Sequence, residues 1–210
     1  MVRRKVRIRF SKEDDLRHIS HRDLMRAVER ALRRARIPMG MTEGFHPRPR
    51  MSFPLALGLG IVGTDEIMEL ELAEPMLPDE LRQRLSSEAP PGFRCHSVEV
   101  LDPGGKTRVR SVDYSVPIPP ADRTSLPAKL DRLLESPQWI VARKRSGQLV
   151  ALDLRPRLLE LSFDGARLQM RVAVTAKGSV RPEEVLSALG LGHLLADGAV
   201  LTRTRVELEA

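Results

Sequence analysis

The sequence is short of cysteine, of aromatic residues and of long apolar segments. Its one cysteine, Cys95, permits neither an internal disulfide nor a cluster of thiolate ligands for zinc or iron–sulfur. No apolar segment approaches the ~20 residues that a membrane-spanning helix needs. The first ten residues also lack the apolar region of a signal peptide. These absences predict a reduced, cytoplasmic protein that has no metal or other cofactor.

What the sequence has in excess is positive charge, and this charge is concentrated near the N-terminus. The 210 residues have a net charge of +7 and a pI of about 10.3. Residues 1–50 hold 15 Lys and Arg against 6 Asp and Glu, a net charge of +9, whereas the other 160 residues have a net charge of −2. This balance favours a polyanionic partner, chiefly a nucleic acid and otherwise an anionic membrane surface.

Hydrophobic periodicity in the first half predicts the element order β-α-β-β-α-β, which is the order of the ferredoxin-like fold. The strand at 5–11 alternates, with Val6, Ile8 and Phe10 on one face. The remaining predicted elements are a helix capped by Ser20 and ended by Pro38, strands at 51–57 and 65–73, a helix opening at Pro78, and a strand at 93–101.

The second half partly repeats this order. Its predicted elements are strands at 112–118, 138–145 and 149–154, a helix at 122–135, a hairpin of 158–163 and 167–174 around Asp164-Gly165, a helix at 180–190 and a strand at 200–208. We therefore predict an α+β protein of tandem ferredoxin-like domains. The first, basic domain is 1–101, the linker is 102–110, and the second domain is 111–210.

Arginines form a stripe along the first predicted helix. At 100° per residue, the apolar residues of this helix fall on one face, and the opposite side carries Arg22, Arg26, Arg30 and Arg33. A charged helix face is often merely solvated. This one is nearly of one sign and adjoins a basic strand and loop, so we predict that its arginines contact nucleic-acid phosphates, which the planar guanidinium binds two oxygens at a time.

The segment GFHPRPRMSFP, residues 44–54, continues the basic region as a loop. Pro47 and Pro49 exclude a helix and force extended backbone on the residues before them. Such a stiff loop presents its side chains at little ordering cost. We predict that it binds nucleic acid through Phe45, His46, Arg48 and Arg50, with the phenyl ring stacking on an unpaired base.

Three of the five histidines, His18, His21 and His46, lie in the basic quarter and permit three interpretations. A zinc site is one, but His18 and His21 flank a helix cap and do not share a helical face. General acid–base cleavage of RNA is the second, with His21 or His46 taking the 2′-hydroxyl proton and Arg48 or Arg50 stabilising the phosphorane. Structural roles are the third. We predict no metal site and no catalytic residue.

Two long motifs resemble those of a family of uncharacterised bacterial proteins that are associated with radical-SAM proteins. The matching residues are Phe10, Ser11, Lys12, Ser20, His21, Asp23, Leu24, Arg26, Glu29, Arg30, Arg33 and Arg34, then Gly44, Phe45, Pro47, Pro49, Ser52 and Phe53. Segments DLRPRLLEL and VRPEEVLSALG of the second half are also similar to the family. Members often lie beside, or form the C-terminal part of, a radical-SAM protein.

This resemblance implies a separate radical-SAM iron–sulfur partner, because a chain with one cysteine lacks the three-cysteine cluster of such an enzyme. The element order is also similar to that of CRISPR repeat-processing RNA endonucleases, which is an analogy of fold alone. We therefore predict an RNA-binding accessory protein for RNA modification or processing. The alternatives are a metal-independent endoribonuclease using His21 or His46, and a protein-interaction module that docks a radical-SAM enzyme.

Overall fold

The computed structural model describes residues 4–102, 107–145, 147–176 and 178–209. The chain divides into two units, Met1–Arg108 and Val109–Ala210. Their boundary falls in the predicted linker at 102–110, of which residues 103–106 lie outside the described residues. The domain limits given above stay a prediction.

The first unit combines an antiparallel sheet with two α-helices. Its elements are β1 Arg4–Lys12, α1 His21–Arg34, β2 Met51–Ser52, β3 Val62–Leu72, α2 Pro78–Glu88 and β4 Phe93–Leu101, with a 3-10 helix at Asp14–His18. Strand β1 lies between β4 and β3, and β2 pairs with the other edge of β3. Each of these pairings is antiparallel.

The alternation predicted for the first strand is confirmed. Val6, Ile8 and Phe10 of β1 are buried in the core of the unit, against the apolar face of α1. That face buries Leu24, Val28, Ala31 and Leu32. Because the core takes up this face, the arginine side of α1 is turned to solvent.

The end of β1 fixes the start of α1. Phe10 stacks on Phe93 of β4 with ring centroids 4.8 Å apart. The fully buried Lys12 donates hydrogen bonds from Nζ to the carbonyl oxygens of Arg17, at 3.2 Å, and Ile19, at 3.0 Å. A buried ammonium group needs such acceptors, so these contacts tie the segment that precedes α1 to the core.

The predicted strand at 51–57 is wrong beyond its first two residues. Only Met51–Ser52 pairs with β3, and residues 53–61 are irregular. Pro54 has no amide hydrogen to donate to a sheet, which explains the early end of the strand. Phe53 instead packs against Phe10, with ring centroids 5.9 Å apart.

The second unit is also an antiparallel sheet with helices. Its elements are β5 Val109–Pro117, α3 Pro120–Arg123, α4 Leu126–Glu135, β6 Ile140–Arg145, β7 Gln148–Asp153, β8 Leu158–Phe163, β9 Arg167–Thr175, β10 Gly178–Ser179, α5 Pro182–Ala188 and β11 Thr202–Leu208. Strand β5 lies between β11 and β9. Strand β8 pairs with the other edge of β9, and β6 and β7 form a separate two-stranded sheet.

One predicted helix of this unit is wrong, because the segment 122–135 belongs to two helices, α3 and α4. Pro127 lies in the first turn of α4, where a proline is tolerated although it cannot continue a helix that began earlier. The predicted α+β class is confirmed in both units. None of the helices in the described part of the chain is long and apolar enough to cross a membrane.

Candidate nucleic-acid interface

Residues 39–51, here called the proline loop, form an extended hairpin beside β3. The Arg50 amide donates to the Gly40 carbonyl at 2.8 Å, which joins the two arms of the hairpin. Both arms also bond to Glu71 of β3: its carbonyl accepts from the Gly40 amide at 2.7 Å, and its amide donates to the Arg50 carbonyl at 3.0 Å. The proline loop is therefore held in place by the edge of the sheet.

The tip of the proline loop, residues 43–47, is exposed to solvent. Phe45 has a relative accessibility of 103%, so its ring contacts almost nothing in the chain. Gly44 has φ of +119°, a backbone conformation that favours glycine. The tip thus presents an aromatic ring, with the exposed His46 beside it, on a backbone that only glycine adopts without strain.

The stripe predicted for the first helix lies on the exposed side of α1, and its members are Arg22, Arg26, Arg30 and Arg33. Arg33 donates to Glu29 at 2.8 Å, and Arg26 lies 3.4 Å from Asp23. Exposed pairs of this kind contribute only ~0–1 kcal/mol each. Among the residues that the structure describes, Arg22 and Arg30 have no carboxylate partner.

A cleft of about 700 Å³ lies between α1 and the second arm of the proline loop. Helix α1 lines it with His21, Arg22, Met25, Arg26 and Glu29, and the proline loop lines it with Arg48, Pro49 and Met51. Three arginines from two different elements therefore surround one cavity. An anion that entered it would meet Arg22 and Arg26 on one wall and Arg48 on the other.

Three basic residues of β1, in contrast, are already paired with carboxylates of the sheet. Arg9 donates to Asp65 at 2.6 Å, and Lys5 lies 2.5 Å from the buried carboxylate of Glu69. Arg7 lies 3.6 Å from Glu69 as well. Because these charges offset one another, the three side chains contribute little to the positive field of the first unit.

Not all of the predicted contact residues meet at the cleft. Arg22, Arg26 and Arg48 do, whereas Arg30 and Arg33 lie further along α1 and outside its lining. Phe45 and His46 lie at the tip of the loop. Arg50 donates from Nε to the Met41 carbonyl at 3.1 Å and lies 3.6 Å from Glu71, so it braces the two arms of the loop.

The histidines and the cysteine occupy separate positions. His21 lines the cleft and packs edge-on against Phe53, with ring centroids 5.2 Å apart. His18 accepts a hydrogen bond from Arg17 at 3.1 Å. No group of three potential metal ligands occurs within the described ranges. Burial raises the pKa of the Cys95 thiol to about 11, although the charge of Arg82 opposes this shift, so the thiol is protonated at neutral pH.

The apolar floor of the cleft was missed by the sequence patterns. The periodicity of α1 places Met25 with neither the buried residues nor the arginines, and the predicted strand at 51–57, although correct for Met51, does not indicate that Met51 lines a cavity with α1. The signal in the sequence is the position of Met25, which lies three residues after Arg22 and four before Glu29 and so shares their side of a helix. This spacing places an apolar side chain among the arginines of α1, but it does not predict the second wall of the cleft.

Comparisons with known proteins give a family but no activity. A family model described as an uncharacterized protein conserved in bacteria (DUF2344) matches residues 5–182. A solved structure of an unknown protein from Galdieria sulphuraria is similar to the chain at 15% identity and a TM-score of 0.30, covering 100% of both chains. A likeness of that degree carries no argument about fold or function. None of the curated proteins matches the chain.

Proposed function

The chain belongs to the DUF2344 family of uncharacterized proteins conserved in bacteria, and from its cleft we propose that it is an RNA-binding accessory protein. The cleft and the tip of the proline loop are the binding surface. The RNA is a substrate for modification or processing, and the chemistry belongs to a separate radical-SAM protein in the cytoplasm. The resemblance of the two N-terminal motifs supports the choice of this partner.

One observation carries the proposal: Arg22, Arg26 and Arg48 surround a single cavity and have weak or no carboxylate partners among the described residues. Guanidinium groups that are not neutralised by their own protein bind phosphate oxygens in pairs of hydrogen bonds. The exposed ring of Phe45 adds a surface on which an unpaired base stacks, which favours single-stranded RNA over a duplex.

We further propose that both units are ferredoxin-like. The strand order of the first unit is β4-β1-β3-β2, that is fourth, first, third, second. The second unit has the same order, β11-β5-β9-β8, when the hairpin of β6 and β7 and the two-residue β10, which also pairs with β9, are set aside. The helices α1 and α2 follow the first and third strands of the first unit. In this proposal the hairpin of β6 and β7 is an insertion that precedes the second strand of the second unit.

The test of RNA binding is a charge-matched pair of double variants. Arg22→Ala/Arg48→Ala removes one arginine from each wall of the cleft, and Arg82→Ala/Arg84→Ala removes two arginines from α2. Hydrogen bonds to charged groups contribute about 1.5–3 kcal/mol each, so the cleft variant weakens the binding of single-stranded RNA by about tenfold or more. The α2 variant binds nearly as the wild type does.

Fluorescence anisotropy with a labelled, unstructured RNA measures both affinities at the same ionic strength. Both variants keep the wild-type free energy of unfolding within about 0.5 kcal/mol, because the four arginines lie at the surface. Equal weakening by the two double variants would contradict the proposal, since it would reduce the binding to an effect of net charge.

A second candidate function is metal-independent cleavage of RNA, which the position of His21 favours because it lines the same cavity as the three arginines. Removing a general acid or base costs about 10²–10⁴-fold in rate. Labelled RNA is therefore incubated, in the presence of a chelator, with the wild type, His21→Ala and His46→Ala. Our proposal expects that all three bind and none cleaves, and cleavage that one substitution abolishes would replace it with an endoribonuclease.

A further inference from the structure

Glu29 is a carboxylate within a cleft that is otherwise built to attract anions. It lines the cavity with Arg22 and Arg26, and it lies on the same side of α1. A carboxylate repels phosphate, so it weakens the very interaction that the arginines provide. Phosphate binding alone therefore does not explain why Glu29 lines this cavity.

The hydrogen bonds of Glu29 leave one of its oxygens available. Arg33 donates from Nε at 3.2 Å and from a terminal nitrogen at 2.8 Å, and both bonds end on Oε1. Within the described part of the chain, Oε2 has no hydrogen-bond donor. Arg33 therefore holds the carboxylate in position, and the second oxygen remains an acceptor.

The rest of the cavity fits a nucleotide. Its volume of about 700 Å³ lies within the ~300–1,000 Å³ typical of small-molecule pockets. Met25, Pro49 and Met51 give it an apolar lining against which the flat face of a base packs, and the arginines lie where a phosphate would be held. A base turned into such a pocket exposes its Watson–Crick edge to polar groups of the wall.

We propose that the cleft receives one unpaired nucleotide of the RNA and that Glu29 reads its base by accepting a hydrogen bond from an exocyclic amino group. Adenine, cytosine and guanine carry such a group. Uracil carries none: the one donor of its Watson–Crick edge, the ring N3–H, is flanked by two carbonyl oxygens that the carboxylate repels. This inference rests on the RNA-binding function proposed above and adds to it a preference against uracil.

Cytosine and uracil form the sharpest comparison because the two rings have nearly the same size and stack weakly. The probes are labelled oligoribonucleotides of ten cytidines and of ten uridines, at the same ionic strength and neutral pH. A good base contact discriminates by roughly 5- to 150-fold. We expect the wild type to bind the cytidine oligomer about tenfold more tightly than the uridine oligomer.

The variant Glu29→Gln and its control Glu80→Gln test whether Glu29 is the cause. Glu80 of α2 makes a comparable pair, with Arg84 at 2.5 Å, but lies outside the cleft. Either substitution removes one negative charge and so raises the affinity for both oligomers. The ratio of the affinities for the cytidine and uridine oligomers does not depend on that charge effect. We expect this ratio to fall to about twofold or less in Glu29→Gln, because the glutamine amide also donates to a carbonyl of uracil. In Glu80→Gln the ratio stays near tenfold.

Three results would overturn the inference, and they are distinguishable. Equal affinity of the wild type for the two oligomers leaves RNA binding intact and removes the base preference. A preference for cytidine that persists in Glu29→Gln assigns the discrimination to another group. Absence of binding to either oligomer removes the proposed function and the inference together.

Discussion

The arginines of the first unit differ in whether they hold a carboxylate partner. Arg9 is bonded to Asp65 at 2.6 Å and stabilises the sheet, whereas Arg22 has no carboxylate partner among the described residues. An arginine that already holds a carboxylate must give up that bond before it binds a phosphate. Among the arginines that line the cleft, Arg22 and Arg48 therefore need give up no carboxylate within the described residues before they bind a polyanion.

Phe45 is the exposed residue on which the proposed base stacking depends. Substitution Phe45→Ala removes a ring that contacts almost nothing in the folded chain, so the melting temperature stays unchanged. If the ring stacks on a base, the substitution weakens RNA binding by about 1–3 kcal/mol. The control is Leu59→Ala, which removes another exposed apolar side chain of the same unit. Anisotropy titrations that show the same small effect for both variants would rule out stacking.

At the scale of the element, α1 holds the arginines in register and is itself fixed by its N-terminal cap. The Asp23 amide donates to the Ser20 hydroxyl at 3.2 Å, and that hydroxyl donates to the Asp23 carboxylate at 2.7 Å. The cap and the contacts of Lys12 with the preceding segment define where the helix begins. The positions of Arg22 and Arg26 in the cleft depend on that start.

Removal of this cap has a predictable cost. Ser20→Ala leaves the Asp23 amide without its side-chain acceptor and lowers the free energy of unfolding by about 1 kcal/mol, which shifts the melting temperature of a chain of this length by about 2–4 °C. Ser86→Ala, an exposed position within α2, is the control and causes no loss. Thermal unfolding followed by circular dichroism measures both. A Ser20→Ala protein as stable as the control would show that the cap contributes nothing.

The hairpin of β6 and β7 is attached to α5 by a half-buried ion pair. Arg143 donates two hydrogen bonds to Glu184, at 2.6 and 2.5 Å, and the Arg181 amide donates a third at 2.8 Å. Burial acts to raise the pKa of Glu184, but the bonds from Arg143 and Arg181 outweigh it, so the pKa is below its ordinary value. The carboxylate form thus stabilises the folded second unit.

This lowered pKa predicts a pH-dependent stability difference. Because Glu184 binds a proton more readily when the chain is unfolded, its contribution is full above the ordinary glutamate pKa of about 4.3 and is lost as the pH falls through the native pKa. We expect Glu184→Gln to lower the free energy of unfolding by about 1.5–3 kcal/mol at pH 7. The deficit shrinks below about pH 4.

Urea unfolding at pH 7 and at pH 3.5 measures this difference. Glu183→Gln, the exposed neighbour on α5, is the control and shows no deficit at either pH. A deficit of Glu184→Gln that is equally large at both pH values would contradict the assignment, because the neutral acid would then stabilise the fold as well as the carboxylate does.

At the scale of the whole molecule, local patterns in the sequence predicted most helices and strands. They did not predict which side chains from different elements come into contact. The alternation of Val6, Ile8 and Phe10 was sufficient to predict strand β1, and Ser20 was sufficient to predict where α1 begins. The pairing of Arg9 with Asp65 could not be predicted, because it depends on the register between β1 and β3. The cleft could not be predicted either, since Met25 and Met51 approach one another only when the proline loop lies against the helix.

The distribution of charge is the property of the whole molecule on which the proposed function depends. Residues 1–50 carry a net charge of +9, and three of their arginines, Arg22, Arg26 and Arg48, line the cleft. A protein that neutralises RNA phosphates releases the counterions that those phosphates had bound. The affinity for RNA must then fall as salt is added.

The salt dependence of RNA binding by the wild-type protein is the most direct test of this account. For single strands, the logarithm of the association constant falls with the logarithm of the salt concentration by about 0.7 for each phosphate contact. Three arginines at the cleft therefore predict a slope of about −2 or steeper. An affinity that is flat between low and moderate salt would contradict the claim that the basic cleft binds the RNA backbone.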